Sequence, residues 1–169
     1  MTELESALVN SLNSYYSNNK IKAVAYRLYQ AQYSRGQNVD IVSDSLNKKY
    51  YLAIEAKSMN ATKAGTFNFK SRFDYTGGGF QLQREILFCR KTGRTGILAL
   101  ELRLGMGKSR ECYFIPLEFA YKEWKNGEKS IKLDYITDNF PKINREGGKY
   151  ILKNDIIIPS KTINTGHTK

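Results

Sequence analysis

The stretch NVDIVSDSLNKKYYLAIEAK, residues 38–57, carries the organisation of the chain. Val39 to Val42 reads as a strand, and Ser43 to Lys48, rich in small polar residues, reads as a turn. Tyr50 to Ala56 reads as the next strand, ending at Lys57. Consecutive strands usually lie side by side. Antiparallel pairing across the turn brings Asp40, near the start of one strand, to Glu55, near the end of the other. Side chains alternate faces along a strand, so Glu55 and Lys57 share a face and Ala56 takes the opposite one. Two carboxylates and an amine then converge at one edge of a sheet.

Outward from this pair, residues 2–16 read as a helix. Leu4, Leu8, Leu12 and Tyr15 recur at helical spacing, and Thr2 with Glu5 has the spacing of a capping box. Ile21 to Leu28 reads as a strand and Gln30 to Asn38 as a polar loop. Residues 58–79 read as a long basic loop, rich in Gly, Thr, Asn, Ser and Lys and ending in Gly77-Gly78-Gly79. Its length and its Phe67, Phe69, Phe73 and Tyr75 point to a functional loop rather than a linker. Phe80 to Lys91 is expected as a helix with Leu82, Ile86 and Cys89 along one side. Ile97 to Leu102 and Cys112 to Ile115 are expected as a hairpin, followed by a short helix from Leu117 to Lys125. Ile131 to Leu133 and Tyr150 to Ile158 carry weaker strand patterns. The expected fold is α/β: a mixed sheet flanked by helices, in one domain over residues 1–159, with a flexible tail at 160–169.

Composition narrows the function. The chain holds 27 Lys and Arg against 16 Asp and Glu, a net charge of +11. A field of that sign draws polyanions, nucleic acid foremost, although a solubility surface or anionic lipid would also suit it. No run is apolar and long enough for a membrane span, and the N-terminus lacks the basic-then-apolar order of a signal peptide. A cytoplasmic, nucleoid-associated protein is therefore expected. The two cysteines, Cys89 and Cys112, read as buried free thiols, and the single histidine, His167, makes His-based zinc sites and Ser-His-Asp triads unpromising.

Asp40, Glu55 and Lys57 suit phosphodiester hydrolysis. Hard oxygen ligands favour Mg²⁺, with Mn²⁺ open, and such an ion polarises a phosphoryl oxygen and acidifies a water. Lys57 can orient that water or stabilise charge on the phosphorus centre. Glu5, on the first helix, can approach as a third carboxylate or serve only as a cap. Gln81 or Gln83, at the start of the second long helix, can reach the water or a phosphate, or simply face solvent. The plainer reading makes Glu55 and Lys57 an ordinary solvent-facing pair and Asp40 a turn residue. Against it, both carboxylates sit inside apolar runs. Gly105-Met106-Gly107 reads as a hairpin turn, because it lacks the strand and the spacing of a phosphate loop.

These residues resemble the PD-(D/E)XK nuclease superfamily, and within it the Holliday junction resolvases of the bacterial RecU type, with the archaeal Hjc type close behind. The resemblance rests on Glu5 to Asn10, Asn38 to Ile41 and Ala53 to Lys57. It continues through Thr66 to Phe69, Phe80-Gln81, Gly96 to Ala99, Tyr113 to Pro116 and Lys129 to Ile131. It implies a restriction-endonuclease-like core and a Mg²⁺-dependent homodimer that nicks four-way DNA junctions on two opposed strands. Asp40 and Glu55 match the metal ligands, Lys57 the catalytic lysine and Glu5 the helical glutamate, while Gln81 and Gln83 both remain open for the helical glutamine. Arg27, Arg35, Lys63, Lys70 and Arg72 are the expected DNA contacts. The alternatives are a restriction or repair nuclease of the same superfamily acting on duplex DNA, and a non-catalytic DNA-binding module.

Overall fold

The structure, a computed structural model, describes residues 2–28, 39–76 and 79–153. The expected loop at 30–38, the Arg35 contact, Gly77-Gly78 and the tail lie outside the described residues.

The first helix, α1 (Glu3–Asn18), starts where the capping box placed it: Thr2 Oγ1 accepts the Glu5 amide at 3.4 Å and donates to Glu5 Oε1 at 2.5 Å. Strand β1 (Ala23–Arg27) pairs antiparallel with β2 (Ile41–Ser45), which pairs antiparallel with β3 (Leu52–Asn60). The turn between β2 and β3 is shorter than expected. Ser43 to Ser45 remain in the ladder with β1, and a 3₁₀ turn at Lys48–Tyr50 follows. Ile41 faces Ile54 across the pair, which sets Asp40 opposite Glu55.

On its other side β3 runs parallel to β7 (Thr95–Arg103). Parallel neighbours cannot be joined by a tight hairpin; they need a crossover. Residues 61–94 form that crossover, and this explains the main departure from the sequence reading. The segment expected as a loop begins as the last residues of β3. It then forms β4 (Thr66–Asn68), a single helical turn α2 (Phe69–Arg72), and the two-residue strands β5 (Tyr75–Thr76) and β6 (Gly79–Phe80). Helix α3 (Gln81–Thr92) completes it and stops at Gly93, whose φ of 71° is left-handed and whose amide caps Cys89 O.

The sheet continues through β8 (Glu111–Pro116), antiparallel to β7, to the hairpin of β10 (Lys142–Glu146) and β11 (Lys149–Tyr150). Between them lie α4 (Leu117–Lys125), as expected, and β9 (Ser130–Lys132), which pairs with β4. Helix α5 (Leu133–Asn139) and strand β10 were not legible in the sequence. Both are short: α5 buries only Leu133 and Ile136, one turn apart, and β10 only Ile143, so neither shows a full period. Tyr150 ends the short β11 instead of opening the strand expected at Tyr150 to Ile158, whose later residues lie outside the described set.

The result is an α/β fold with a seven-stranded mixed sheet in the order β1-β2-β3-β7-β8-β10-β11, the arrangement of a restriction-endonuclease-like core. Its two faces bury separate apolar layers. Leu52 and Ile54 of β3 pack with Ile41, Ile97 and Phe114 under Leu8, Leu12 and Tyr16 of α1. Ala53 packs the other way, with Leu98 and Leu100 under Leu82 and Ile86 of α3 and Ala120 of α4. Among the described residues no helix is long and apolar enough to cross a membrane.

The crossover is part of the second layer. Phe67, Phe69 and Phe73 are fully buried and meet edge-on or tilted at centroid distances of 6.0–6.5 Å. Replacing Phe67 with Ala is expected to lower unfolding free energy by about 3–5 kcal/mol, the usual cost of emptying a buried aromatic site. Chemical denaturation would check it, and a change below about 1 kcal/mol would mean that this segment lies outside the core.

Candidate active site

The odd positions of β3 face α3, so Glu55 and Lys57 point into the space between the sheet and that helix. Asp40 enters from the start of β2. Its amide donates to Ile54 O at 3.2 Å, and its Oδ2 accepts the Ala56 amide at 2.8 Å. A backbone bond on each side fixes the carboxylate against β3. Lys57 Nζ lies 2.6 Å from Glu55 Oε1 and 5.3 Å from the centre of the Phe73 ring. The ring limits where the ammonium can turn.

Glu55 is 1% exposed. A carboxylate loses several kcal/mol of hydration on such burial unless it is paired. Its Oε1 has two partners, Lys57 and the Gln81 amide, whose Nε2 donates at 2.7 Å. Gln81 Oε1 in turn accepts the Asp74 amide at 3.2 Å, and its own amide donates to Asp74 O, so the side chain is held at both ends. Gln83 points away and is exposed. The structure thus brings Gln81, and not Gln83, to Glu55.

Among the described residues Glu55 Oε2 has no hydrogen-bond donor, and neither oxygen of Glu85 has one. Glu85, one turn after Gln81 on α3, is fully buried beside Glu55. Burial first, then the charge of Asp40, pushes the Glu55 carboxyl up to about 7. Burial and the Glu55 charge push Glu85 well above its ordinary value. Burial raises Asp40 too, against the pull of the Ala56 amide and the Lys57 ammonium. Desolvation works against the Lys57 ammonium, but Glu55, Glu85 and Asp40 outweigh it and hold the lysine above its usual range. Buried carboxyls this close need a proton or a cation among them.

Glu85 escaped the sequence reading. It lies in the apolar stripe of Leu82, Ile86 and Cys89, and a carboxylate in such a stripe was the available signal. Glu101 is a second buried acid that was missed. It faces Ser58 across β3 and β7, accepts Ser58 Oγ at 2.8 Å and Tyr150 Oη at 2.5 Å, and is flanked by Arg110 and Arg145. That network joins the sheet centre to β10 and β11.

The Glu5 carboxylate is bound by Thr2 and Arg27, and its charge reaches Asp40 without a direct bond. Arg27 is therefore engaged within the protein, and Arg72 is half-buried, donating to Ser58 O at 3.2 Å. Lys63 and Lys70 are exposed. Cys89 and Cys112 are free and buried, and burial pushes the Cys89 thiol up to about 12.

A metal fits this site in a limited way. Among the described residues no group of three or more His, Cys, Asp or Glu side chains is set to hold an ion. Two carboxylates are present, however, and Glu55 Oε2 is a buried acceptor without a donor. Mg²⁺ is commonly held by one or two carboxylates and keeps most of its waters. Asp40 and Glu55 match that requirement.

No protein-family model and no curated protein matches the chain. Among solved structures it matches Hjc, a Holliday junction resolvase from Archaeoglobus fulgidus, at 20% identity and a TM-score of 0.39, over 64% of this chain and 76% of that one. At that identity and score the likeness carries no information about activity.

The raised carboxyls make stability pH-dependent. The folded protein holds protons at Glu55 and Glu85 that the unfolded chain releases. Stability from these groups is therefore full below pH 4.5 and is lost as pH rises through about 7. Asp44 is held low by Tyr26 and Arg94, and Glu3 by Arg145 and Arg110, so both act in the opposite sense at acid pH. The informative quantity is thus the difference between variants. In chelator, Glu85→Gln is expected to flatten the loss of melting temperature between pH 5 and 7, the window between the ordinary carboxyl value and the raised value of Glu55. An unchanged slope would remove Glu85 from the group.

Proposed function

We propose that this protein is a divalent-cation-dependent endonuclease that resolves four-way DNA junctions by paired hydrolysis of phosphodiester bonds, acting as a homodimer. The observation that carries the reading is the buried Glu55 with half-buried Asp40 and Lys57 beside it, one Glu55 oxygen lacking any donor among the described residues. A buried carboxylate is costly, and a site that needs one charged for a cation gives the burial a purpose. The net charge of +11 supports a polyanionic substrate.

Asp40 and Glu55 are the residues that would hold Mg²⁺ or Mn²⁺. When bound, the ion supplies polarisation of a phosphoryl oxygen and acidification of a water. Asp40 is kept in place by the Ala56 amide, so its carboxylate needs little rearrangement to bind. Gln81 fixes the Glu55 carboxylate plane through Oε1 and leaves Oε2 for the cation. Lys57 stays charged and presents its ammonium where negative charge grows on the phosphate. Two opposed cuts on a roughly symmetric junction call for two such sites related by a two-fold axis, which a homodimer provides.

The test is cleavage of a labelled four-way junction beside matched duplex, with Mg²⁺ and with chelator. Wild type is expected to place paired symmetric nicks on the junction and to lose them in chelator. Asp40→Asn is expected to abolish them, and Lys57→Ala to slow them by on the order of 10²–10³ while binding persists. Metal-dependent cutting of duplex without junction preference would discard the junction and keep the site. Tight binding with no cutting under any metal would leave a DNA-binding module instead.

A further inference from the structure

A second feature lies beside the site. The hairpin of β5 and β6 sets Tyr75 opposite Phe80. Their rings stack at 4.7 Å with planes 29° apart, and Phe80 meets Trp124 of α4 at 4.7 Å and 31°. The three rings form one side of a cavity of about 550 Å³, which also has Lys70 and Lys129 on its lining. That volume is within the ordinary range for a small organic ligand.

Three observations bear on what enters it. Tyr75 is 67% exposed, although it sits on an apolar stack where a packed aromatic would be expected to be covered. Lys70 and Lys129 are exposed on the lining, together with one acid, Glu128. The cavity also adjoins the candidate active site through Phe80. Phe80 is followed directly by Gln81, which holds Glu55, and Phe80 packs edge-on against Phe73 at 5.9 Å, the ring beneath Lys57.

We propose that this cavity seats one unpaired nucleobase of the DNA strand engaged at the active site. An aromatic stack with adjacent lysines is what a single-stranded nucleotide requires: a ring face for the base and cations for the neighbouring phosphates. Glu128 offers an acceptor to amino or imino groups of a base and repels phosphate from the cavity, which leaves the phosphates to the lysines. A base held there is unstacked from its strand, as bases at or near a branch point are easily made to be. The proposal rests on the nucleic-acid reading above and adds to it a grip on single-stranded structure that a duplex, with its bases paired, does not satisfy.

Trp124 is the only tryptophan of the chain, so tryptophan emission reports this cavity. The experiment titrates the full chain, in chelator, with a short oligothymidylate and with the same length of duplex. Single strand is expected to quench Trp124 saturably and at lower concentration than duplex does. Tyr75→Ala is expected to weaken the single-strand quench by roughly 10-fold, the scale of one lost stacking contact, and Tyr75→Phe to retain it. Because Tyr75 is exposed, its replacement should leave the melting temperature unchanged, and the wild-type quench is decisive without it. No quench at concentrations where anisotropy of a labelled strand shows saturation would overturn the proposal. So would equal affinity of wild type and Tyr75→Ala. A shift of Tyr75→Ala from dimer to monomer in sedimentation would also overturn it and give the face to a second copy of the chain. Quench without junction cleavage keeps the base seat and discards the endonuclease; cleavage without quench does the reverse.

Discussion

Glu55 is a carboxylate removed from water in an interior strand, and much of the surrounding structure answers that burial. Strand β3 is paired on both edges, so the Glu55 backbone is fixed and the side chain cannot swing out to solvent. One oxygen is satisfied by an ammonium two residues along the same strand and by an amide from α3. The other has no donor among the described residues, and Asp40 and Glu85 act on the same carboxyl. Removing the lysine would take away the charge that compensates Glu55, which costs more than the pair contributes when intact. The site is therefore a place where the fold gives up stability, and only a proton or a cation restores it.

The parallel pairing of β3 with β7 is the second constraint, and it places the partners of Glu55. A crossover must leave one end of the sheet and return to the other, and its helix settles on the sheet face. That helix is α3, and its first turns carry Gln81 and Glu85 over Glu55. The same crossover packs Phe67, Phe69 and Phe73 beneath the approach to the site and raises Tyr75 and Phe80 at its rim. The acidic grouping around Glu55 and the aromatic cluster thus lie together because one connection builds both.

On the opposite face α1 closes the sheet with Leu8, Leu12 and Tyr16 and reaches the site only through charge. Its Glu5 is satisfied by Thr2 and Arg27. Arg94 performs a comparable service at the far end of the strands, bonding Ser43 O, Leu52 O and Asp44 and stacking on Tyr51 at 4.0 Å. Arginine suits this position because its planar fork serves several acceptors at once.

The sequence by itself determined the local features. The capping box at Thr2 and Glu5, the antiparallel meeting of Asp40 with Glu55, the shared face of Glu55 and Lys57, and the extent of α4 all follow from spacing and period. These are decided by residues close in the chain or by strands joined through a short turn. The tertiary structure decided what depends on long-range pairing. It built the crossover into elements where polar composition suggested a loop, because its phenylalanines bury against distant strands. It chose Gln81 over Gln83 for Glu55 and turned Glu85 inward, since the rotation of α3 on the sheet is set by Leu82 and Ile86 against Leu98 and Leu100. It also engaged Arg27 and Arg72 within the protein, where composition had counted them as free positive charge. Sequence spacing fixes which face of its own element a residue takes; which neighbour that face meets is fixed only when the layers pack.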